Sequence, residues 1–530
     1  MATRKSARNR KSSRPASSRK GKATGRGKGR AGRSAGGAAT TAGGADELLD
    51  MNQAIGMLKT SRPTFYRWLR SGKVRGMKVG RQWRFRPEDI ERFLGGEQPR
   101  IEVPGDLTPL IEALADRVRE AGVEPVLDAE VEPPRRAVHL MIQLGMHNRA
   151  SDIHLAPDRP HAGRGGDAWL RYRIDGVLHE VVRFDLRLLP ALMAQWKILC
   201  ACDVGVSDRP QEGRGMIELD DQSFDLRMCF VPSQPFETTT VRLLNAKQVS
   251  FEFARLALSP DDQQTLQDHL AAPNGVIIVT GPTGSGKTTT LYACLEMVNQ
   301  PHLKVLTIED PIEYRFDHIV QTQVDAEAGL THERALRSFV RSDPDVIMVG
   351  EIRDPVTLQL SLQIALTGHL VMTTMHTNDA ASGVTRLIDM GADPFVVAES
   401  LRLIVAQRLV RKLCPKCSKP TDLSATQTQH AIELANTGGL NWDVLGKEFR
   451  RAVGCAACAQ TGYRGRALVA EMLTGSGAVR TAIVNGASTE ELQRVAIGEG
   501  MTTMQADGVR RAAAGETTMD EVIRVAALAR

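Results

Sequence analysis

No stretch of the 530 residues stays apolar for the roughly 18 residues that a membrane span needs. The most apolar run, Gly275-Val-Ile-Ile-Val-Thr, has the length of a buried strand. No apolar core follows the basic N-terminus, so the pattern of a secretory signal is missing too. These absences predict an intracellular protein that is not integral to a membrane. Collagen-like, coiled-coil and wholly disordered composition is also absent. Hydrophobic residues make up 42% and charged residues 25%, the proportions of ordinary soluble cores. Acid is missing from residues 1–45, which hold 13 Lys and Arg and no Asp or Glu. The net charge is +6, so residues 46–530 carry −7. The bulk of the protein is mildly acidic and its tail strongly basic. At roughly 150 residues per domain, the length implies three or four domains.

Residues 1–45 are Arg, Lys, Gly, Ser and Ala with almost nothing to bury, which predicts a disordered basic tail. Such a tail is either a solvated segment or an arm for polyanions, anionic lipid or nucleic acid. Residues 46–96 read as a compact unit. Asp50 caps a helix carrying Ala54, Ile55 and Leu58, and Ser61 caps a second with Phe65, Trp68 and Leu69 on its apolar face, stopped by Gly72. Met77, Val79, Trp83 and Phe85 alternate around Gly80 as a two-stranded wing. Pro87 opens a last short helix. The string SRPTFYRWLRSGKVRGMKVGRQWRF resembles the winged helix-turn-helix of the excisionase and MerR-like group. That resemblance puts Arg62, Arg67 and Arg70 on a recognition helix and Arg81 and Arg84 in the wing, shapes that suit a major groove and its phosphates. A protein-docking role for the same fold stays open. Residues 97–131 read as a Pro- and Glu-rich linker with one helix, and from 132 onward strand and helix patterns alternate as in an α/β core.

The strongest signal is GVIIVTGPTGSGKTTT, an apolar strand, a glycine loop and a helix start. It is the complete G-x-x-x-x-G-K-[ST] pattern in its required context. Gly281, Gly284 and Gly286 let backbone N–H groups wrap phosphates without Cβ clashes, and the helix N-terminus adds its positive dipole end. Lys287 reaches the terminal phosphates and Thr288 ligates Mg²⁺. Pro282, Thr283, Ser285 and Thr289 complete the expected nucleotide contacts. The strand PDVIMVGE ends in Glu351, the expected second metal-side residue, and LTIEDPIE delivers Glu309, Asp310 and Glu313. Three carboxylates at a strand end have work to do beside Mg²⁺ and a water nucleophile. LTGHLVMTTMHTN places His369 and His376 on either side of a short apolar strand, as a γ-phosphate sensor pair or as structural histidines.

These blocks together resemble the type II secretion and type IV pilus assembly ATPases. GPTGSGKTTT resembles the family's Walker A, TIEDPIE its Asp box, DPDVIMVGEIRD its Walker B and TGHLVMTTMHTNDA its His box. ASDIHLAP and RYRIDGVL resemble its preceding domain, and AQRLVRKLCPKC and GCAACAQTGYRGRALVAEML its metal insert and following part. The resemblance covers roughly residues 132–530. It implies a multidomain α/β protein: a PAS-like α+β lid at 132–250, a RecA-like P-loop ATPase core at 251–413, a metal insert at 414–458 and a helical C-terminal part at 459–530. It implies a cytoplasmic homohexamer, peripheral to the inner membrane, that hydrolyses ATP with Mg²⁺ and works on an inner-membrane platform protein. Glu313 is then the candidate general base and Glu351 the candidate Mg²⁺ partner. Arg337, Arg341, Arg353 and Arg386 match arginines of the family pattern. The lid of a neighbouring subunit would supply charge to the γ-phosphate, with Arg209, Arg214 and Arg227 as candidates; each could instead form an ion pair within its domain. Three departures stand out. PVT follows GEIRD where the family usually has a glutamate, PQEGRG stands for PQDGR, and the winged module replaces the usual N-terminal docking domain. That replacement keeps a DNA-linked motor or regulator as the rival reading.

Cys414-Pro-Lys-Cys417 and Cys455-Ala-Ala-Cys458 supply four thiolates. Four soft sulfurs in two C-x-x-C pairs suit a closed, structural Zn²⁺ site, with a redox dithiol as the alternative. Cys200, Cys202, Cys229 and Cys294 lack this pairing.

Overall fold

The computed structural model describes residues 48–530 apart from 71–73, 75, 80–81, 96–104, 129, 159–165, 220–221, 235, 246–250 and 528–530. The basic tail, Gly72, Gly80 and Arg81 therefore lie outside the described residues.

The N-terminal module forms as its caps dictate. The Asp50 side chain accepts from the backbone N–H of Asn52 and Gln53, and the Gln53 side chain accepts from Asp50 N in return. This reciprocal box starts the helix Met51–Met57. Ser61 Oγ accepts from Thr64 N at 3.3 Å ahead of the helix Arg62–Arg70. The strands Met77–Val79 and Gln82–Arg84 pair antiparallel as the wing, and Pro87–Leu94 is the last helix. Five buried apolar residues (Ala54, Phe65, Val74, Phe85, Ile90) make its core, with the Phe65 and Phe85 rings edge-on at 5.1 Å.

The lid is larger than the sequence implied. The helix Thr108–Glu120 is not strung along a linker: Leu110, Leu114 and Val118 are buried in one core with Leu140, Met141 and Trp196. Its apolar stripe at i, i+4 and i+8 needed a partner, and the helix Pro133–His147 provides it. Both belong with a six-stranded antiparallel sheet. In spatial order its strands are Val177–Asp185, Asp167–Ile174, Ala150–Pro157, Glu237–Asn245, Gln222–Pro232 and Gln211–Leu219.

The core is a seven-stranded sheet ordered Val320–Gln323, Val305–Glu309, Val346–Val349, Leu370–Met375, Gly275–Thr280, Leu401–Leu413, Tyr463–Thr474. The first six run parallel. Every residue of Gly275–Thr280 is buried, because helices cover both faces of a parallel sheet. Val276 and Ile278 enter one apolar cluster while Ile277 and Val279 enter the other. The seventh strand corrects the expected boundary at 459. Tyr463–Thr474 pairs antiparallel with Leu401–Leu413 along nearly its whole length, so the C-terminal part completes the core sheet before it turns helical. Ala467, Leu468, Val469 and Ala470 are all buried there, and a continuous apolar run of that length fits a doubly covered strand. No helix among the described residues is long and apolar enough to cross a membrane.

Candidate active site

The chain leaves the buried strand at Thr280 and turns through Gly281–Gly286 into the helix Lys287–Val298. Gly281, Gly284 and Gly286 have φ of +148°, +79° and +91°, the region that only glycine enters without strain. Lys287 Nζ donates to the carbonyls of Gly281 (2.8 Å) and Pro282 (3.2 Å) and lies 3.4 Å from His376 Nδ1. Burial lowers the Lys287 pKa, and the nearby Glu351 carboxylate opposes that shift.

The loop floors a cleft of about 950 Å³ between core and lid. Parallel strands deliver their carboxyl ends to the same rim, and the sequence candidates divide there. Glu351, His376, Asp310 and Glu313 all line the cleft. Glu351 is ion-paired with Arg353 and lies 3.7 Å from His376 Nε2. Burial alone would raise its pKa, but the Arg353 guanidinium, with His376 and His332, brings the carboxyl below its ordinary value. His376 therefore stands between the loop lysine and the strand-end glutamate.

His369 does not share this position. It precedes the strand Leu370–Met375, which runs parallel to Gly275–Thr280 with Leu370 opposite Gly275. Six residues at about 3.3 Å each separate it from the rim. Its ring packs on the Ile364 carbonyl and Thr367 hydroxyl, and its carbonyl accepts from Gly275 N. Glu309 also lines the cleft, although it is only 3% exposed. Its oxygens accept from the Tyr292 hydroxyl, Thr307 Oγ1 (2.6 Å) and Gln321 Nε2 (3.1 Å). The Tyr292 oxygen in turn accepts from Glu313 N at 3.2 Å. Glu309 thus supports the loop that carries Glu313 from within the lining of the cleft.

The lid arginines occupy different places within the chain. Arg227 Nη2 reaches Glu313 of its own chain at 2.6 Å. Arg209 is exposed, and Arg214 sits exposed on the edge strand Gln211–Leu219; neither lines the cleft. The charges that sequence reasoning missed are Arg173 and Arg242. Arg173 is paired across the ladder with Asp152, Asp152 with Arg242, Arg242 with Arg227, and Arg227 with Arg214. Residues paired across a ladder project from the same face of the sheet, so these five form a file across the lid. Asp152 holds Arg242 at 3.3 Å and Arg173 at 3.7 Å, and all three line the cleft. Alternation along RYRID shows that Arg171 and Arg173 share a face, but aligning them with Arg242 requires the register of three strands. Elsewhere, Arg337 pairs with Glu333 of its own helix at 3.0 Å.

The four insert thiols meet at the end of Leu401–Leu413. All Sγ atoms lie within 4.8 Å of one another, with 3.9 Å from Cys414 to Cys455 and from Cys417 to Cys458, and 3.8 Å from Cys455 to Cys458. A tetrahedral ion with sulfur at about 2.3 Å has edges of about 3.8 Å, so the donor set fits one metal ion. Backbone N–H groups of Gly454 and Gly462 point at Cys417 and Cys458 sulfurs. Burial works against ionisation of Cys458, yet the N–H groups of Cys455 and Gly462 and the neighbouring thiols hold it down to about 7.

Comparison with known proteins agrees with this arrangement. The family model described as type II/IV secretion system protein matches residues 128–524, and a helix-turn-helix domain model matches 48–97. The type IV pilus assembly ATPase PilB of Myxococcus xanthus is 37% identical over 82% of this chain and 75% of its own length. The type II secretion system protein E of Dickeya dadantii is 38% identical over 76% of this chain and 78% of its own. Among solved structures, the ATPase DotB of Legionella pneumophila superposes with a TM-score of 0.52 at 21% identity, over 74% of this chain and 95% of that one. That likeness concerns the fold alone.

Proposed function

The chain belongs to the type II/IV secretion system protein family, and we propose from that premise that it is a ring-forming motor whose ATP hydrolysis drives assembly of a pilus or pseudopilus. The observation that carries this reading is the convergence of Lys287, Glu351, His376 and Glu313 on one lid-covered cleft. The chemistry is transfer of a phosphoryl group to water, in which positioning and electrostatics provide the catalysis. The loop N–H groups and Lys287 bind the phosphates. Thr288 and Glu351 would hold Mg²⁺, which neutralises charge on the transferring phosphate. Glu313, which lines the cleft, would take the proton of the attacking water once Arg227 releases it. Arg242 and Arg173, held by Asp152, face the same space and bring positive charge to it. A ring of such chains would pass the lid's motion to a platform protein at the inner membrane, with which the motor associates peripherally. Deleting the gene should abolish surface fibres or secretion of a protein set; wild-type chain should restore them and Lys287→Ala should not. Fibres and secretion that persist in the deletion strain would overturn this function.

We propose zinc for the four-thiol site, as a structural ion with no open position. Purified protein should carry about one zinc per chain. Cys417→Ser should empty the site and lower the melting temperature, since ligation energy is folding energy in such sites. Metal-free wild-type protein with an unchanged melt on adding zinc would exclude it.

A second reading concerns the N-terminal module. The helix Arg62–Arg70 contains no acidic residue and exposes Arg62 and Arg67, whereas the helix Pro87–Leu94 carries the acids Glu88, Asp89 and Glu91. This last helix meets the lid side through Arg92 and Glu132 at 3.1 Å. The basic helix is therefore available to a DNA duplex. Full-length protein should bind duplex DNA with steep salt dependence. Replacing Arg62 and Arg67 with Ala should flatten the log–log salt slope by about one for each phosphate left without its arginine. Salt-independent binding, or none at low salt, favours protein docking. The basic tail would add anionic lipid or nucleic acid to these partners.

A further inference from the structure

Gln407 is a buried polar residue with no part in the chemistry described above. It follows Ala406, which pairs with Thr280 at the point where the P-loop strand ends. Its side chain is fully buried and donates from Nε2 to the Ser285 carbonyl at 2.9 Å. It also touches both ends of the phosphate loop. A Cβ on Gly281 would sit 2.5 Å from the Gln407 carbonyl oxygen, and one on Gly286 would sit 3.3 Å from Gln407 Nε2. The strand Leu401–Leu413 thus abuts the loop at its first and last glycines.

The consequence follows from the planarity of one peptide. The carbonyl of Ser285 and the N–H of Gly286 belong to the same trans peptide unit and point in opposite directions. A donor that holds the carbonyl back toward Leu401–Leu413 turns the Gly286 N–H out toward the cleft. Without that donor, the peptide on either side of Gly286 is free to rotate, because glycine at φ +91° is equally permitted in other regions. We infer that Gln407 is a positioning residue for ATP hydrolysis: it orients the Ser285–Gly286 peptide so that its N–H is already aimed at phosphate before nucleotide arrives. The inference rests on phosphate binding at this loop and adds to it a residue more than a hundred positions downstream. An incoming phosphate then meets a fixed donor and does not have to reorganise the loop.

The test is Gln407→Met in the full-length protein, which keeps the side chain's length and apolar packing and removes the donor. A hydrogen bond to a charged group accounts for about one power of ten or somewhat more in affinity. Dissociation constants for ADP and the KM for ATP should rise about tenfold, kcat should change less, and the melting temperature without nucleotide should stay close to wild type. Gln407→Glu, which sets a carboxylate against the same carbonyl, should weaken ADP binding further than Gln407→Met. Gln407→Asn, one methylene too short to reach the carbonyl, should resemble Gln407→Met. Unchanged ADP affinity and KM in Gln407→Met would overturn the proposal. So would an affinity loss that simply follows a lowered melting temperature across the three variants, because that pattern belongs to a core residue. Loss of the P-loop function itself is a separate result, read from Lys287→Ala.

Discussion

Lys287→Ala should release phosphate from ATP at no more than about a hundredth of the wild-type rate while melting at nearly the wild-type temperature. In the structure the Lys287 ammonium is held by the Gly281 and Pro282 carbonyls at the floor of the cleft, where its charge is to meet the phosphates. Its side chain joins none of the apolar clusters that hold the core sheet. The substitution therefore removes a point charge from the reaction without opening the interior. Phosphate release and thermal melting on one preparation check both halves. Turnover at the wild-type rate would remove the P-loop from the chemistry, and a collapsed melt would mean that the lysine is structural.

Glu313→Gln has an expected effect of similar size and a different signature. A general base contributes on the order of 10²–10⁴ to turnover, so kcat should fall by that factor. The affinity for ATP should change little, since the substitution keeps the side chain's shape and Glu313 does not belong to the phosphate loop. Its amide still accepts from the Arg227 guanidinium that now holds the carboxylate at 2.6 Å. Glu351→Gln should behave differently, weakening Mg²⁺-dependent binding together with turnover, because Glu351 is the proposed metal-side carboxylate. Rapid-quench kinetics with a fluorescent nucleotide separate the two. An unchanged kcat in Glu313→Gln would transfer the base role to another group on the rim, of which Asp310 is the nearest in sequence.

Much of the site was legible in the sequence because its residues are local. GPTGSGKT is one strand end, one turn and one helix start, and each glycine there has a backbone reason that needs no tertiary contact. Glu351 and His376 were legible for the same cause: each follows a short apolar strand, and parallel strands bring such positions to one rim. The same rule, applied to direction as well as proximity, separates His369 from His376, since one precedes the strand and the other follows it. Glu309 was legible as a cleft carboxylate, but its hydrogen bonds from Tyr292, Thr307 and Gln321, spread over a helix and two strands, were not. The helix Thr108–Glu120 misled through its flanking Pro and Glu, although its buried stripe was visible in the periodicity. Arg173 and Arg242 were not legible at all. Their meeting depends on ladder register across Asp152, and register is set by the whole sheet. The strand Tyr463–Thr474 was hidden by its position after the cysteine insert, which separates it from its partner Leu401–Leu413 in the chain and closes back on it in space.

Lid and phosphate loop of one chain line one cleft, and we propose that this cleft is catalytically complete within the chain. The resemblance to the secretion ATPases implies charge supplied by a neighbour's lid; within one chain, Arg227 reaches Glu313, and Arg242 and Arg173 line the cleft. Mixing tests this directly. Lys287→Ala chains retain an intact lid, and Arg242→Ala chains retain an intact loop; an arginine that brings charge to the transferring phosphate is worth on the order of 10³–10⁵ in turnover, so each should be nearly inactive alone. Phosphate release should be measured for the two proteins co-assembled at several ratios. If the cleft belongs to one chain, every mixture stays at the level of its inactive components. Activity that rises to a maximum at intermediate ratios would show lids serving neighbouring loops, and would contradict the account.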